Sequence, residues 1–258
     1  MKAIIMAGGE GSRLRPLTCE KPKPMANIMN RPAMEHMIGL LRRKGITDIA
    51  VTLQYLPSKI RDYFGDGQRF GVTLTYFTEN EPLGTAGSVK NATDFIREPF
   101  LVMSGDAITD LALDEAIAFH QEKKAAVTIV TKKVENPTEY GIVVTDQQKR
   151  IVQFLEKPQW SEVFSDTVNT GIYIIEPNVM DLVKSGQNMD FSKDVFPKLL
   201  LRGEPMYSFE TEAYWCDIGD LEAYRQCQFD WMKGEIHLPL GAKEIEKGVW
   251  AEQDVFIA

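Results

Sequence analysis

Short apolar, β-branched runs alternate with segments of helical period through the first half of the chain, and few architectures accommodate that alternation. Strands are predicted at 3–7, Asp48–Leu53, 72–77 and Phe100–Ser104. Between the first two, Pro32 stands where a helical turn begins. Apolar residues then recur at Met34, Met37, Ile38 and Leu41, and Gly45 follows Arg42-Arg43-Lys44 as a stop. The helical pattern returns at Pro57–Phe64 and Leu113–Lys123. Successive strand–helix–strand units imply a largely parallel sheet with right-handed crossovers, and ligands at the C-terminal ends of its strands.

From about Val127 the pattern changes: strands are predicted at 127–132, Gly141–Thr145 and Ile151–Glu156, separated by loops too short for helices. Asp146-Gln147-Gln148-Lys149 reads as a hairpin turn. A further strand follows at Thr167–Ile175, with helices from Asp190 through Leu200, ending near Gly203, and over 220–233. Residues 1–233 therefore read as one domain and 234–258 as a tail. In that tail Val249 and Val255 stand six apart, the spacing of a first hexapeptide β-helix coil that is cut off; a frayed strand fits the same residues.

The 258 residues, 44% of them hydrophobic, suffice for one large α/β domain. The first apolar run carries one positive charge and stops at Gly8-Gly9, so it lacks the h-region of a signal peptide. No run approaches the roughly 18 apolar residues of a membrane span. Cys19, Cys216 and Cys227 are odd in number and scattered, which fits free thiols in a cytoplasmic protein. A net charge of −8 argues against non-specific nucleic-acid binding, so any anionic substrate must meet a local basic cluster.

Such a cluster follows the first strand. In Gly8-Gly9-Glu10-Gly11-Ser12-Arg13-Leu14, backbone N–H groups freed by glycine can approach a triphosphate, and Arg13, Arg15, Lys21 and Lys23 add positive charge. No Gly-Lys-Ser/Thr closes a Walker loop, and Leu14 replaces the third glycine of a dinucleotide fingerprint. Taken alone, the segment fits a glycine-rich turn with solvated basic residues equally well.

Ala7-Gly8-Gly9-Glu10-Gly11-Ser12-Arg13-Leu14-Arg15-Pro16-Leu17-Thr18, followed by Lys21-Pro22-Lys23-Pro24-Met25, resembles the signature of sugar-phosphate nucleotidyltransferases. Ser12 stands where that family more often has threonine. Further motifs follow in the family's order: Glu81-Pro82-Leu83-Gly84-Thr85-Ala86-Gly87, Ser104-Gly105-Asp106, Phe154-Leu155-Glu156-Lys157-Pro158, Asn169-Thr170-Gly171 and Trp215-Cys216-Asp217-Ile218-Gly219. The resemblance covers 1–233 and is closest to the mannose-1-phosphate guanylyltransferases. It implies an α/β, Rossmann-like, mostly parallel mixed sheet flanked by helices, a β-rich sugar-binding insertion, and a truncated left-handed β-helix start.

The implied reaction joins a nucleoside triphosphate to a sugar 1-phosphate and releases pyrophosphate. GTP and mannose 1-phosphate are the expected pair, with glucose-1-phosphate thymidylyl-, uridylyl- or adenylyltransfer and a non-catalytic regulatory paralogue as alternatives. Arg13, Lys23, Asp106 and Asp217 are expected to be catalytic, with Asp106 and Asp217 holding Mg²⁺. Ala7, Gly8, Gly9, Gly11, Ser12, Arg13, Glu79, Glu81, Pro82, Gly84 and Thr85 are expected to bind the nucleotide. A carboxylate, Glu79 or Glu81, suits the two adjacent donors of guanine. Gly141, Glu156, Lys157, Asn169 and Gly171 are expected at the sugar phosphate, provided the strand bends at Glu156-Lys157. Neither nucleic acid nor membrane is an expected partner, and a homo-oligomer is left open. His36, His120 and His237 lack metal-ligand spacing and are expected on helix surfaces or in the tail, while Met25, Met29, Met34 and Met37 read as core filler.

Overall fold

Strand β1 (Lys2–Met6) lies between two parallel neighbours, so both its faces must be apolar, and Ala3, Ile4 and Ile5 are fully buried. This is a computed structural model, and it describes residues 1–246 and 249–251. A short hairpin of β2 (Asn27–Ile28) and β3 (Arg31–Pro32) leads into helix α1 (Ala33–Arg43). Then come β4 (Asp48–Leu53), α2 (Pro57–Phe64), β5 (Thr73–Thr78), α3 (Gly84–Asn91), β6 (Phe100–Ser104) and β7 (Ala107–Thr109). Strands β6, β1, β4 and β5 form the expected parallel sheet in that order.

After α4 (Leu113–Lys123) the chain supplies β8 (Val127–Lys133), β9 (Gly141–Thr145), β10 (Ile151–Glu156) and β11 (Thr167–Ile175). Strand β11 pairs antiparallel with β6, and through it the β-rich second half continues the same sheet. A wide π turn (Phe191–Val195) runs into α5 (Phe196–Leu201), followed by β12 (Met206–Glu210), parallel to β8, then β13 (Trp215–Asp217) and α6 (Leu221–Lys233). The result is a Rossmann-like mixed sheet with helices on both faces. Alternate residues of β1 feed opposite cores: Ala3 and Ile5 pack with α1 and α6, Ile4 with α3 and α5.

Local chemistry sets the helix ends. Gly45 takes a φ of +74°, and Ile46 N–H donates to the Leu41 carbonyl at 3.0 Å while Gly45 N–H donates to Arg42, which closes α1. Asp190 accepts from Ser192 N–H at 2.9 Å and Asp220 from Ala223 N–H at 2.9 Å, capping the turns they precede. Helix α3 escaped the sequence reading because Gly84 and Gly87 are poor helix formers. Its backbone lies against another loop instead: a Cβ on Gly87 would stand 2.4 Å from the Gln187 carbonyl.

Among the described tail residues, β14 (Lys243–Glu246) pairs antiparallel with β15 (Val249–Ala251). That hairpin is not a β-helix coil, and the remaining residues of the expected coil, including Val255, lie outside the described residues. Among the described residues no helix is long and apolar enough to cross a membrane. Met25, Met34 and Met37 are buried as core filler.

The expectation for the histidines fails for two of the three. His36 and His120 are buried, 6% and 2% exposed, because each falls on the inward stripe of its helix. His36 Nε2 lies 2.9 Å from the Ile28 carbonyl and its ring leans on Trp231 at 4.6 Å. Burial holds both imidazoles below their usual pKa. An unfolded histidine binds a proton below about pH 6.5 while these resist it, so the unfolded state holds more protons and stability falls as pH drops. Urea unfolding at pH 7.5 and 5.5 is expected to show a lower midpoint at pH 5.5, with a smaller difference in His36→Gln.

Candidate active site

Leu14 is fully buried and anchors the loop that leaves β1, and Thr18 Oγ1 donates to the Gly11 carbonyl at 2.7 Å. Gly11 has a φ of +67°, and a Cβ there would stand 2.8 Å from Lys23 Cβ, so this position is closed to any side chain. The loop thus packs on the turn Lys23–Met25, which carries Lys23 inward.

Lys23 Nζ lies 2.6 Å from Asp106 Oδ2 and 2.9 Å from Asp217 Oδ1. Strand pairing explains how residues so distant in sequence meet. Asp106 stands between β6 and β7, and β13 pairs antiparallel with β7 so that Asp217 is opposite Ala107. Ser104 Oγ also donates to Asp106. Burial pushes the Asp106 carboxyl up, but Lys23 outweighs it and leaves the group below its usual range. Asp217 is held above the usual range by burial and then by the Asp106 charge. Burial lowers Lys23, and the two carboxylates more than reverse that, so it stays protonated.

Two cavities open on either side of this cluster. One, of about 290 Å³, is lined by Gly8, Gly9, Gln54, Glu79, Pro82, Leu83, Gly84, Thr85 and Ser88. The other, of about 250 Å³, is lined by Arg13, Tyr140, Gly141, Glu156, Lys157, Asn169, Gly171, Asp190, Ser192, Trp215 and Asp217, among others. Lys23, Thr85, Ser104 and Asp106 belong to both walls, so occupants of the two cavities would meet there.

In the second cavity Gly141 faces Glu156 across β9 and β10. Lys157 N–H donates to the Tyr140 carbonyl at 3.0 Å and Lys157 takes a φ of +45°, so the expected bend occurs at Lys157 itself. A non-glycine residue in that region is strained, a cost that tends to gather where a side chain must be aimed. Strand β11 has an irregularity between Asn169 and Tyr173, where Gly171 N–H donates to Asn169 Oδ1 at 2.9 Å and Asn169 Nδ2 donates to Tyr173 at 2.9 Å. Burial, and then the Asp190 charge, hold Glu156 above its usual pKa. Burial and the Asp217 charge push Tyr140 up to about 12, so it is a neutral phenol.

A family model described as Nucleotidyl transferase matches residues 2–233. The chain belongs to the nucleotidyl transferase family. It is 41% identical to a UTP–glucose-1-phosphate uridylyltransferase of Synechocystis sp., over 97% of this chain and 68% of that protein. It is 39% identical to a mannose-1-phosphate guanyltransferase of Candida albicans, over 85% of this chain and 61% of that protein. Among solved structures, HddC from Yersinia pseudotuberculosis complexed with GMP-PN superposes with a TM-score of 0.76 at 27% identity, covering 89% of this chain and 99% of that one. The chain thus spans about two thirds of the length of these sequence relatives.

Within this nucleotidyl transferase domain, Gly8, Gly9, Glu79, Pro82, Gly84 and Thr85 line the first cavity, and Arg13, Gly141, Glu156, Lys157, Asn169 and Gly171 the second. Ala7 is buried beneath the loop, and Gly11 and Ser12 shape it without lining either cavity. Glu81 is exposed and lines neither cavity. Thr85 bridges within the protein, with Oγ1 donating to Asp190 Oδ2 at 2.9 Å and accepting from Phe191 N–H at 2.9 Å. Sequence reasoning missed Gln54, Ser88, Tyr140, Asp190, Ser192 and Trp215. Gln54 directly follows β4, so the strand-end rule pointed to it. The only local signal at Asp190 is that of a helix start.

Gly141 offers a sharp test of this packing, because a Cβ there would stand 2.6 Å from the Phe154 ring and 2.8 Å from Glu156 Oε2. Gly141→Ala is expected to destabilise by about 1–3 kcal/mol through overpacking, read as a lower urea midpoint at unchanged m value. A wild-type midpoint would show that the Phe154 and Glu156 side chains give way freely.

Proposed function

We propose that the chain joins a nucleoside triphosphate to a sugar 1-phosphate, releasing pyrophosphate. The observation that carries this reading is the placement of Lys23, Asp106 and Asp217 where a glycine-lined cavity meets one lined by Arg13, Glu156 and Lys157. The nucleotide occupies the first cavity, its phosphates along Gly8, Gly9 and Lys23. The sugar phosphate occupies the second, with Lys157 on the phosphate and Glu156 accepting from sugar hydroxyls. A phosphate of the sugar, already largely ionised at its second pKa of about 6, attacks the α-phosphorus without a general base. Arg13 and Lys23 disperse charge on the departing pyrophosphate, and positioning supplies much of the acceleration.

A divalent metal fits Asp106 and Asp217. Their carboxylates already converge on one cation, the Lys23 ammonium. Two carboxylates suit magnesium, since it takes one or two carboxylates and completes its shell with phosphate oxygens and water. Bound there, magnesium would neutralise triphosphate charge. Asp106→Asn keeps the shape and removes the charge, so roughly hundredfold or greater loss of kcat is expected with an unchanged circular dichroism spectrum. Near-normal kcat at saturating magnesium would refute the role.

For the substrates, we propose GTP with mannose 1-phosphate. Glu79 lines the nucleotide cavity and the Candida albicans relative bears the guanyltransferase name. Glu79 also accepts from Ser88 Oγ and from Leu83 N–H at 3.2 Å, so base donors must share its remaining lone pairs. The observation favouring UTP is Gln54, whose amide lines the same cavity and can pair with the single donor and flanking acceptors of uracil. Pyrophosphate release, measured for GTP, UTP, dTTP and ATP with mannose and glucose 1-phosphates, is expected to be fastest with GTP and mannose 1-phosphate. Glu79→Gln is expected to lower kcat/KM for GTP roughly ten- to hundredfold. Preference for UTP or dTTP with every sugar would remove the guanylyl assignment.

A further inference from the structure

The outer side of α1 carries another cavity, of about 380 Å³, which shares no lining residue with the two described above. Its wall includes Arg31, Arg42, Arg43 and Arg69, with Glu35 the one carboxylate in the lining; Leu238, Pro239 and Gly241 border it from the segment after α6. Four guanidinium groups around one opening are unexpected on a chain of net charge −8.

The arginines are unequally neutralised. Arg31 pairs with Glu35 at 3.5 Å, and Lys44, next along the chain, pairs with Asp114 at 2.6 Å. Among the described residues no carboxylate pairs with Arg42, Arg43 or Arg69. Arg69 instead donates to the Tyr63 carbonyl at 3.0 Å and lies over the Phe70 ring at 4.7 Å, which fixes its plane. Burial and the adjacent Arg42 charge hold Arg43 below its usual pKa, as expected for like charges without a counterion.

Glycine makes room for these side chains. A Cβ on Gly71 would stand 2.9 Å from Arg42 Cδ, one on Gly39 3.4 Å from Arg43 Nη1, and one on Gly241 2.8 Å from Arg31 Nη2. The C-terminal dipole of α1 accounts for cations at Arg42 and Arg43. It does not account for Arg69, which comes from the separate turn Gln68–Phe70 to the same opening.

We propose that this cavity binds a phosphorylated small molecule, its phosphates held by Arg42, Arg43 and Arg69. Guanidinium forks match phosphate oxygens in pairs, and the volume lies within the range of small-molecule sites. More than one phosphate group fits best, because three unneutralised cations border the opening. The site is independent of the reaction assigned above.

The test is calorimetric titration of the full chain with inorganic tripolyphosphate, for the wild type, for Arg13→Ala, and for the double variants Arg42→Ala/Arg43→Ala and Arg42→Gln/Arg43→Gln. The wild type is expected to bind at this cavity and at the glycine loop. Both double variants are expected to lose the cavity event, weakened about tenfold or more, while turnover without added anion is unchanged and Arg13→Ala retains the event. Tripolyphosphate binding of wild-type strength and stoichiometry in the folded double variants would overturn the proposal. So would a single wild-type event that Arg13→Ala alone weakens.

Discussion

The Lys23 ammonium between Asp106 and Asp217 is the interaction on which the site depends. Two carboxylates brought together at a half-buried site repel each other and lose hydration, so a neighbouring cation is needed to favour ionisation of both. Lys23 supplies it from the chain's first loop, while the acids come from the ends of β6 and β13. One half-buried charge cluster therefore ties the glycine loop, the central sheet and the small β7–β13 pair together. Each of those elements is positioned by other means: Leu14 anchors the loop, the parallel neighbours of β1 fix the sheet edge, and the antiparallel register sets Asp217 opposite Ala107.

The sheet explains why two cavities share one wall. Strands β6, β1, β4 and β5 run parallel and deliver their C-terminal ends, with Gln54 and Glu79 just beyond β4 and β5, to the first cavity. Strand β11 runs the other way beside β6, and β9, β10 and the irregular stretch of β11 extend the same edge with Gly141, Glu156, Lys157 and Asn169. A change of strand direction at β6 is thus the boundary between the two cavities, and Asp106 stands just past the end of that strand.

Much of this was legible in the sequence because its signals are local. Hydrophobic period gave β1, α1, β4 and β6, and glycine spacing with Lys23 marked the loop that lines the first cavity. The bend at Lys157 was readable from Glu156-Lys157-Pro158. Features that depend on a distant partner were not readable. Helix α3 contains two glycines and is held by the loop at 187–189, which no local propensity reports. Asp190 is at once a helix cap, the partner of Thr85 and part of a cavity wall, and only the first role has a sequence signature. His36 and His120 look like surface residues by type, but helix phase turns them inward. Glu79 and Glu81 are indistinguishable in composition, and the end of β5 separates them: Glu79 is 8% exposed within the cavity wall, while Glu81 lies in solvent.

Charge balance links the cluster to the proposed chemistry. Two carboxylates outnumber the Lys23 ammonium, and Arg13, a further cation in the second cavity's wall, is itself paired with Glu139 at 3.4 Å. A triphosphate and a sugar phosphate entering this junction add several negative charges more. Carboxylates there would oppose binding of both substrates unless a further cation arrived with them. An ammonium cannot coordinate phosphate and carboxylate oxygens in a fixed shell, whereas a magnesium ion can, so under the proposed chemistry Asp106 and Asp217 would hold a metal that arrives with the nucleotide. On this reading Lys23 holds the two carboxylates ionised and aligned before substrate enters, and then turns its charge toward the phosphates.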